Sequence, residues 1–299
     1  MLRGSVRPIL TAGRYTNIRS LAVAIFCAPL PLLADGVVDH ETQHFSVKVV
    51  QELEAFASPL LNETLDQCAE ETGLLKFRTS QARIPFFVAR DKRTLDALIE
   101  DHYAGQITLT EDTYVDDTFC GDPASGTLFV TGETISLCVG DEAYWSKRIQ
   151  YNEICSDITH EMVHIVQNDL TDGGLRAPGQ SLTEVVGPAW LFEGVAVLFS
   201  QISSFGKDRL DRVVQLSRNQ IPPNSFTLAE MERFDRRAEY GRLHYQKGFI
   251  AAKYLLDRTD EDAIFDFYRC VGPSEEWEIC FERAFDMSVD RFYTTQSSQ

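Results

Sequence analysis

Thr159-His160-Glu161-Met162-Val163-His164-Ile165-Val166-Gln167 lies in a run whose apolar positions include Ile154, Ile158, Met162 and Ile165. These recur at three and four residues, the period of an α-helix buried on one side. A spacing of four then stacks the imidazoles of His160 and His164 one turn apart on a single face, the separation that two ligands of one tetrahedral zinc require. Glu161 sits about 100° round the helix from His160, close enough to reach a water on such a metal without ligating it. The segment therefore offers two ligands and a base. The plainer alternative is a helix that happens to hold two histidines, one of them a satisfied core residue. With six histidines in the whole chain, two of them bracketing a glutamate at this spacing is an uncommon coincidence.

A third ligand is expected on a neighbouring element, and Pro188-Ala189-Trp190-Leu191-Phe192-Glu193-Gly194-Val195-Ala196 supplies it. Pro188 suits the first turn of a helix, which places Glu193 one to two turns in, facing the first helix. Its apolar neighbours Leu191, Phe192, Val195 and Val197 argue against a solvated surface acid. Two histidines and one glutamate leave the fourth position of a zinc ion open for water, the composition of a catalytic rather than a structural site.

His160-Glu161-x-x-His164 followed by P-x-W-L-x-E-G-x-A resembles the gluzincin metallopeptidases, especially the peptidase MA-like domains with a thermolysin-type catalytic core. The resemblance implies Zn2+ held by His160, His164 and Glu193, with Glu161 as general base and proton shuttle. Tyr245-Gln246-Lys247-Gly248 is similar to the Y-x-K-G element of gluzincin aminopeptidases, which implies that Tyr245 donates a hydrogen bond to the oxyanion. Tyr240 and His244 stay open as alternatives for that donor, and a plain core role stays open for Tyr245. The aromatic C-terminal run, from Phe265 to Phe292, resembles the helical cap of the same clan. Three departures stand out. The stretch from 165 to 192 is long, and its Gly173-Gly174 and Pro178-Gly179 predict an inserted loop at the cleft. Val197 occupies the position where an acid often orients a ligand histidine, leaving Asp157 or Thr183 as candidates for that task. No G-x-M-E-N segment is present, so the exopeptidase specificity of the aminopeptidases does not carry over.

Outward from these motifs, residues 1–34 read as a secretory signal peptide. Arg3, Arg7, Arg14 and Arg19 precede an apolar run from Leu21 to Ala34, with cleavage expected near Ala34-Asp35. The run is short and broken by Pro29 and Pro31, a poor membrane span. Bulky Phe26 before Cys27 also fits a lipoprotein badly. A secreted or periplasmic protein with no stable membrane anchor after cleavage is the expectation. The formal charge is −17 and becomes more negative once the four arginines leave, so nucleic acid and anionic membrane surfaces are poor partners and no nucleic acid is expected. Of seven cysteines, six remain after Cys27 is lost. Local spacing favours Cys120 with Cys138 and Cys270 with Cys280, leaving Cys68 with Cys155.

The remaining periodicities predict a strand at Phe45 and Val47, a helical stretch from Val50 to Gly73, a buried strand over 83–90, and a helix capped by Asp91. Antiparallel strands follow over 106–140, and helices from Asp141 to the end. The predicted fold class is α+β and zincin-like. A strand-containing N-terminal lobe (35–140) and a mostly helical lobe (141–299) flank an active-site cleft, and a strand within Leu128 to Val139 serves as an edge for an extended substrate. The expected function is hydrolysis of peptide bonds in a peptide or protein substrate. Two alternatives stay open, a non-catalytic zincin-fold binding protein and a zinc amide hydrolase acting on a non-protein substrate.

Overall fold

A five-stranded mixed sheet sets the frame of this computed structural model, which describes residues 36–103, 120, 126–150, 153–171, 185–232, 241–271 and 276–297. The expected signal segment, the glycine-rich stretch 173–179, Thr183 and Tyr240 lie outside the described residues. Strand β1 (Val37–Glu41) pairs antiparallel with β2 (Phe45–Val50), and the turn between them is pinned from a distance. The Asp66 carboxylate accepts from Thr42 Oγ1 at 2.8 Å and from the amides of Gln43 and His44 at 2.8 and 2.9 Å. Along β2, Phe45, Val47 and Val49 are buried while Ser46 is exposed, the alternation of a strand with one face on the core.

A helical passage then crosses the sheet through α1 (Glu54–Pro59) and α2 (Leu65–Thr72), ending at Gly73 with a φ of 64°. A residue with a side chain is strained there, which is why glycine closes the helix. Strand β3 (Ile84–Ala89) returns parallel to β2 in the centre of the sheet. Its near-continuous apolar sequence is what a strand covered on both faces demands. Helix α3 (Lys92–His102) starts at Asp91, whose carboxylate accepts from Thr94 N at 3.0 Å, the cap expected from the sequence. Strands β4 (Gly126–Thr131) and β5 (Thr134–Val139) form a hairpin turning at Gly132, and β5 runs parallel to β3. Of the two strands within Leu128 to Val139, β4 lies at the sheet edge among the described residues and β5 is enclosed between β3 and β4.

Every regular element described after β5 is helical. In order they are α4 (Glu142–Gln150), α5 (Ile154–Leu170), α6 (Ala189–Phe205), α7 (Leu210–Gln220), α8 (Leu228–Met231), α9 (Gly241–Arg258), α10 (Glu261–Val271), α11 (Trp277–Phe285) and α12 (Val289–Ser297). Helix α5 is buried over most of its circumference between α2, α6 and α10. The C-terminal aromatics are core: Phe77 lies 4.1 Å from Phe265 between ring centres, and Trp190 stacks on Phe292 at 5.4 Å. Helix α6 meets α9 at a Gly-on-Gly crossing. A Cβ at Gly194 would lie 2.2 Å from the carbonyl carbon of Gly248, and one at Gly248 would lie 2.1 Å from the Trp190 oxygen.

Three cysteine pairs lie at disulfide distance: Cys68 with Cys155, Cys120 with Cys138 and Cys270 with Cys280, with Cα separations of 5.1, 5.5 and 5.5 Å. The first joins α2 to the opening turn of α5. Among the described residues no helix is long and apolar enough to cross a membrane.

Candidate metal centre

Helix α5 carries His160 and His164 on the face it turns toward α6. Pro188 precedes α6 in an extended conformation, and its carbonyl accepts the amides of Leu191 and Phe192 at 2.9 and 3.1 Å. It thus sits one position before the helix proper rather than in its first turn, and Glu193 follows one turn in. The three side chains converge. His160 Nε2 and His164 Nε2 are 3.2 Å apart, and Glu193 Oε2 lies 3.5 Å from the first and 3.3 Å from the second.

Donors on a tetrahedral zinc with bonds of about 2.0–2.1 Å sit roughly 3.3 Å from one another, so this triangle has the dimensions of a ligand set. Among the described residues it is the group of histidines and carboxylates that can hold a metal ion. Electrostatics point the same way. Burial holds the His164 imidazole below its ordinary pKa, in the neutral form that ligation needs. Burial opposes protonation of His160 too, but its hydrogen bond to Glu193 and the nearby carboxylates of Glu161, Glu193 and Asp157 prevail and raise its pKa.

Glu161 faces a cleft of about 400 Å3 whose walls include Thr127 and Leu128 of β4, Tyr144 and Arg148 of α4, and Tyr245 of α9. Burial pushes its carboxyl up to about 8, helped by the like charges of Glu193 and Asp157 and opposed by His160. Positive charge at the triad would bring it back toward the range of a working base.

Tyr245 is 43% exposed and its ring centre lies 5.9 Å from that of His160. His244 is buried, with Nε2 at 3.3 Å from the Met231 carbonyl oxygen. Adjacent helical residues point about 100° apart, so the turn of α9 that brings Tyr245 to the cleft takes His244 into the core.

No model of a known protein family, no curated protein and no solved structure matches the chain. Function therefore rests on the residues of this site.

Of the two candidates expected to orient a ligand histidine, only Asp157 lies among the described residues. It is engaged by Arg148, whose Nη2 lies 2.5 Å from its Oδ2. The partner of His164 is Gln167, missed in the sequence, with Oε1 at 2.7 Å from His164 Nδ1. Gln167 Nε2 in turn donates to the Phe192 carbonyl at 3.0 Å and to Tyr268 OH at 2.8 Å. Phe192 also stacks on His164, ring centres 4.3 Å apart and planes within 15°. A polar residue three positions after His164, in an otherwise apolar run, was the available signal.

The Y-x-K-G element divides its labour. Tyr245 faces the cleft, Lys247 donates to the carbonyls of Ser225 and Phe226 ahead of α8, and Gly248 makes the close contact with Gly194. Burial of Lys247 lowers its pKa.

Proposed function

We propose that this chain is an exported zinc-dependent metallopeptidase of the gluzincin type, with a zincin-like fold and His160, His164 and Glu193 as the ligands. The observation that supports it most is the convergence of two imidazole nitrogens and one carboxylate oxygen to 3.2–3.5 Å beside a glutamate that opens on a cleft. Zinc, when bound, supplies a Lewis acid for a substrate carbonyl and acidifies its water.

The protein's own groups do the rest. Glu161 takes a proton from the attacking water at its carboxylate and passes it to the departing amine nitrogen. The Tyr245 hydroxyl donates to the oxygen that gains negative charge. Strand β4, at the sheet edge among the described residues and contributing Thr127 and Leu128 to the cleft, aligns an extended peptide through main-chain hydrogen bonds. A peptide or protein substrate fits this arrangement, and the −17 charge disfavours nucleic acid. Export is supported by the arginine-rich, then apolar, N-terminal sequence and by three cysteine pairs suited to an oxidising compartment.

The test is Glu161→Gln assayed on an unfolded protein substrate. The variant should keep its zinc and lose turnover by a factor of about 10²–10⁴, the usual worth of a general base. Near-normal hydrolysis by a zinc-loaded variant defeats the mechanism.

A further inference from the structure

We propose that Gln167 is a positioning residue that fixes His164 in the Nδ1-protonated tautomer and so presents the Nε2 lone pair to the metal position. The inference rests on the metal-ligand reading of His164 and goes beyond it, because no motif assigns Gln167 a task.

The Phe192 carbonyl oxygen, 3.0 Å from the Gln167 amide, has no hydrogen to give, so the group facing it is the NH2. That settles which way round the amide sits, a question its own two similar ends leave open. Its second N–H goes to Tyr268 OH at 2.8 Å. Oε1 must then face His164 Nδ1, at 2.7 Å, and an amide oxygen only accepts. Nδ1 therefore holds the hydrogen. In a neutral imidazole that leaves Nε2 bare, and Nε2 is the atom turned toward His160 at 3.2 Å and Glu193 at 3.3 Å.

The carbonyl that orients Gln167 belongs to the residue immediately before Glu193. One short segment of α6 thus supplies the third ligand and, through Gln167, sets the tautomer of the second. Gln167 is fully buried, so water does not compete for these bonds. Outer partners of this kind typically govern metal affinity by about 10–100-fold.

Two readouts test it. Long-range proton–nitrogen NMR of histidine-labelled, metal-free wild-type protein should show His164 protonated at Nδ1 and bare at Nε2. Gln167→Leu, which removes the acceptor, should lose that preference and weaken zinc binding by about 10–100-fold in competition with a chromophoric chelator. An Nε2-protonated His164 in the wild type overturns the inference, and that measurement needs no variant to fold. An unchanged tautomer and unchanged zinc affinity in folded Gln167→Leu also overturn it. A wild-type protein that holds the Nδ1-protonated tautomer, loses it in Gln167→Leu and binds no zinc upholds the role of Gln167 and defeats the peptidase reading instead.

Discussion

The candidate centre has a closed side and an open side, built from the same pair of helices. On the closed side the His164 side chain is 8% exposed, stacked on Phe192 and bonded to Gln167, which is itself held by a backbone carbonyl and Tyr268. On the open side His160 is 17% exposed and flanked by Tyr245 and Glu161 at the cleft. One histidine is determined by its surroundings several times over, and the other looks onto the space where a substrate would lie. Side-chain bonds are concentrated around His164, while His160 and Tyr245 are left more open to the cleft.

The largest expected effect removes a support common to both sides. The Cys68–Cys155 pair ties α2 to α5 five residues before His160, so replacing both cysteines by serine should cost about 2–5 kcal/mol in denaturant unfolding and weaken zinc binding. Unchanged stability would mean that packing alone fixes α5. Next, the open side can be disabled by itself. Tyr245→Phe should lower kcat by about 10²–10³, the scale of one oxyanion donor, with zinc affinity untouched. A fall in zinc affinity instead would put Tyr245 among the groups that hold the centre. The smallest effect is expected from Gly194→Ala, which strikes beneath the closed side. The new methyl overlaps the Gly248 backbone, α6 and α9 must separate, and the cost should be about 1–3 kcal/mol in the unfolding midpoint, with weaker zinc binding through Glu193. A neutral result would show that the helices slide past one another freely.

The triad was legible in the sequence because its information is local. A spacing of four fixes one helix face, and Pro188 marks where the next helix begins. The central strand and the Asp91 cap were legible for the same reason, as continuous apolar character and a side-chain oxygen at a helix start. What stayed hidden depends on distant pairings. Gln167 finds Tyr268 101 residues away, and no local pattern announces that bond. Strand β1 is an edge of partly exposed residues with no buried alternation, and β5 could not be told from β4 as the inner strand until β3 claimed it. His244 and Tyr245 are neighbours in sequence, so only the rotation of α9 against α6 separates the core residue from the cleft residue. Gly194 and Gly248 appeared as motif letters, and their reason is the close crossing of two backbones.

The most direct test of the centre is the metal content of purified protein, measured by elemental mass spectrometry after zinc loading and dialysis. Wild type should hold about one zinc per chain and His164→Ala none, because three donors with one open position are the minimum for a catalytic site. A wild-type protein without stoichiometric zinc, or a His164→Ala variant that retains it, would contradict the assignment of His160, His164 and Glu193 as its ligands.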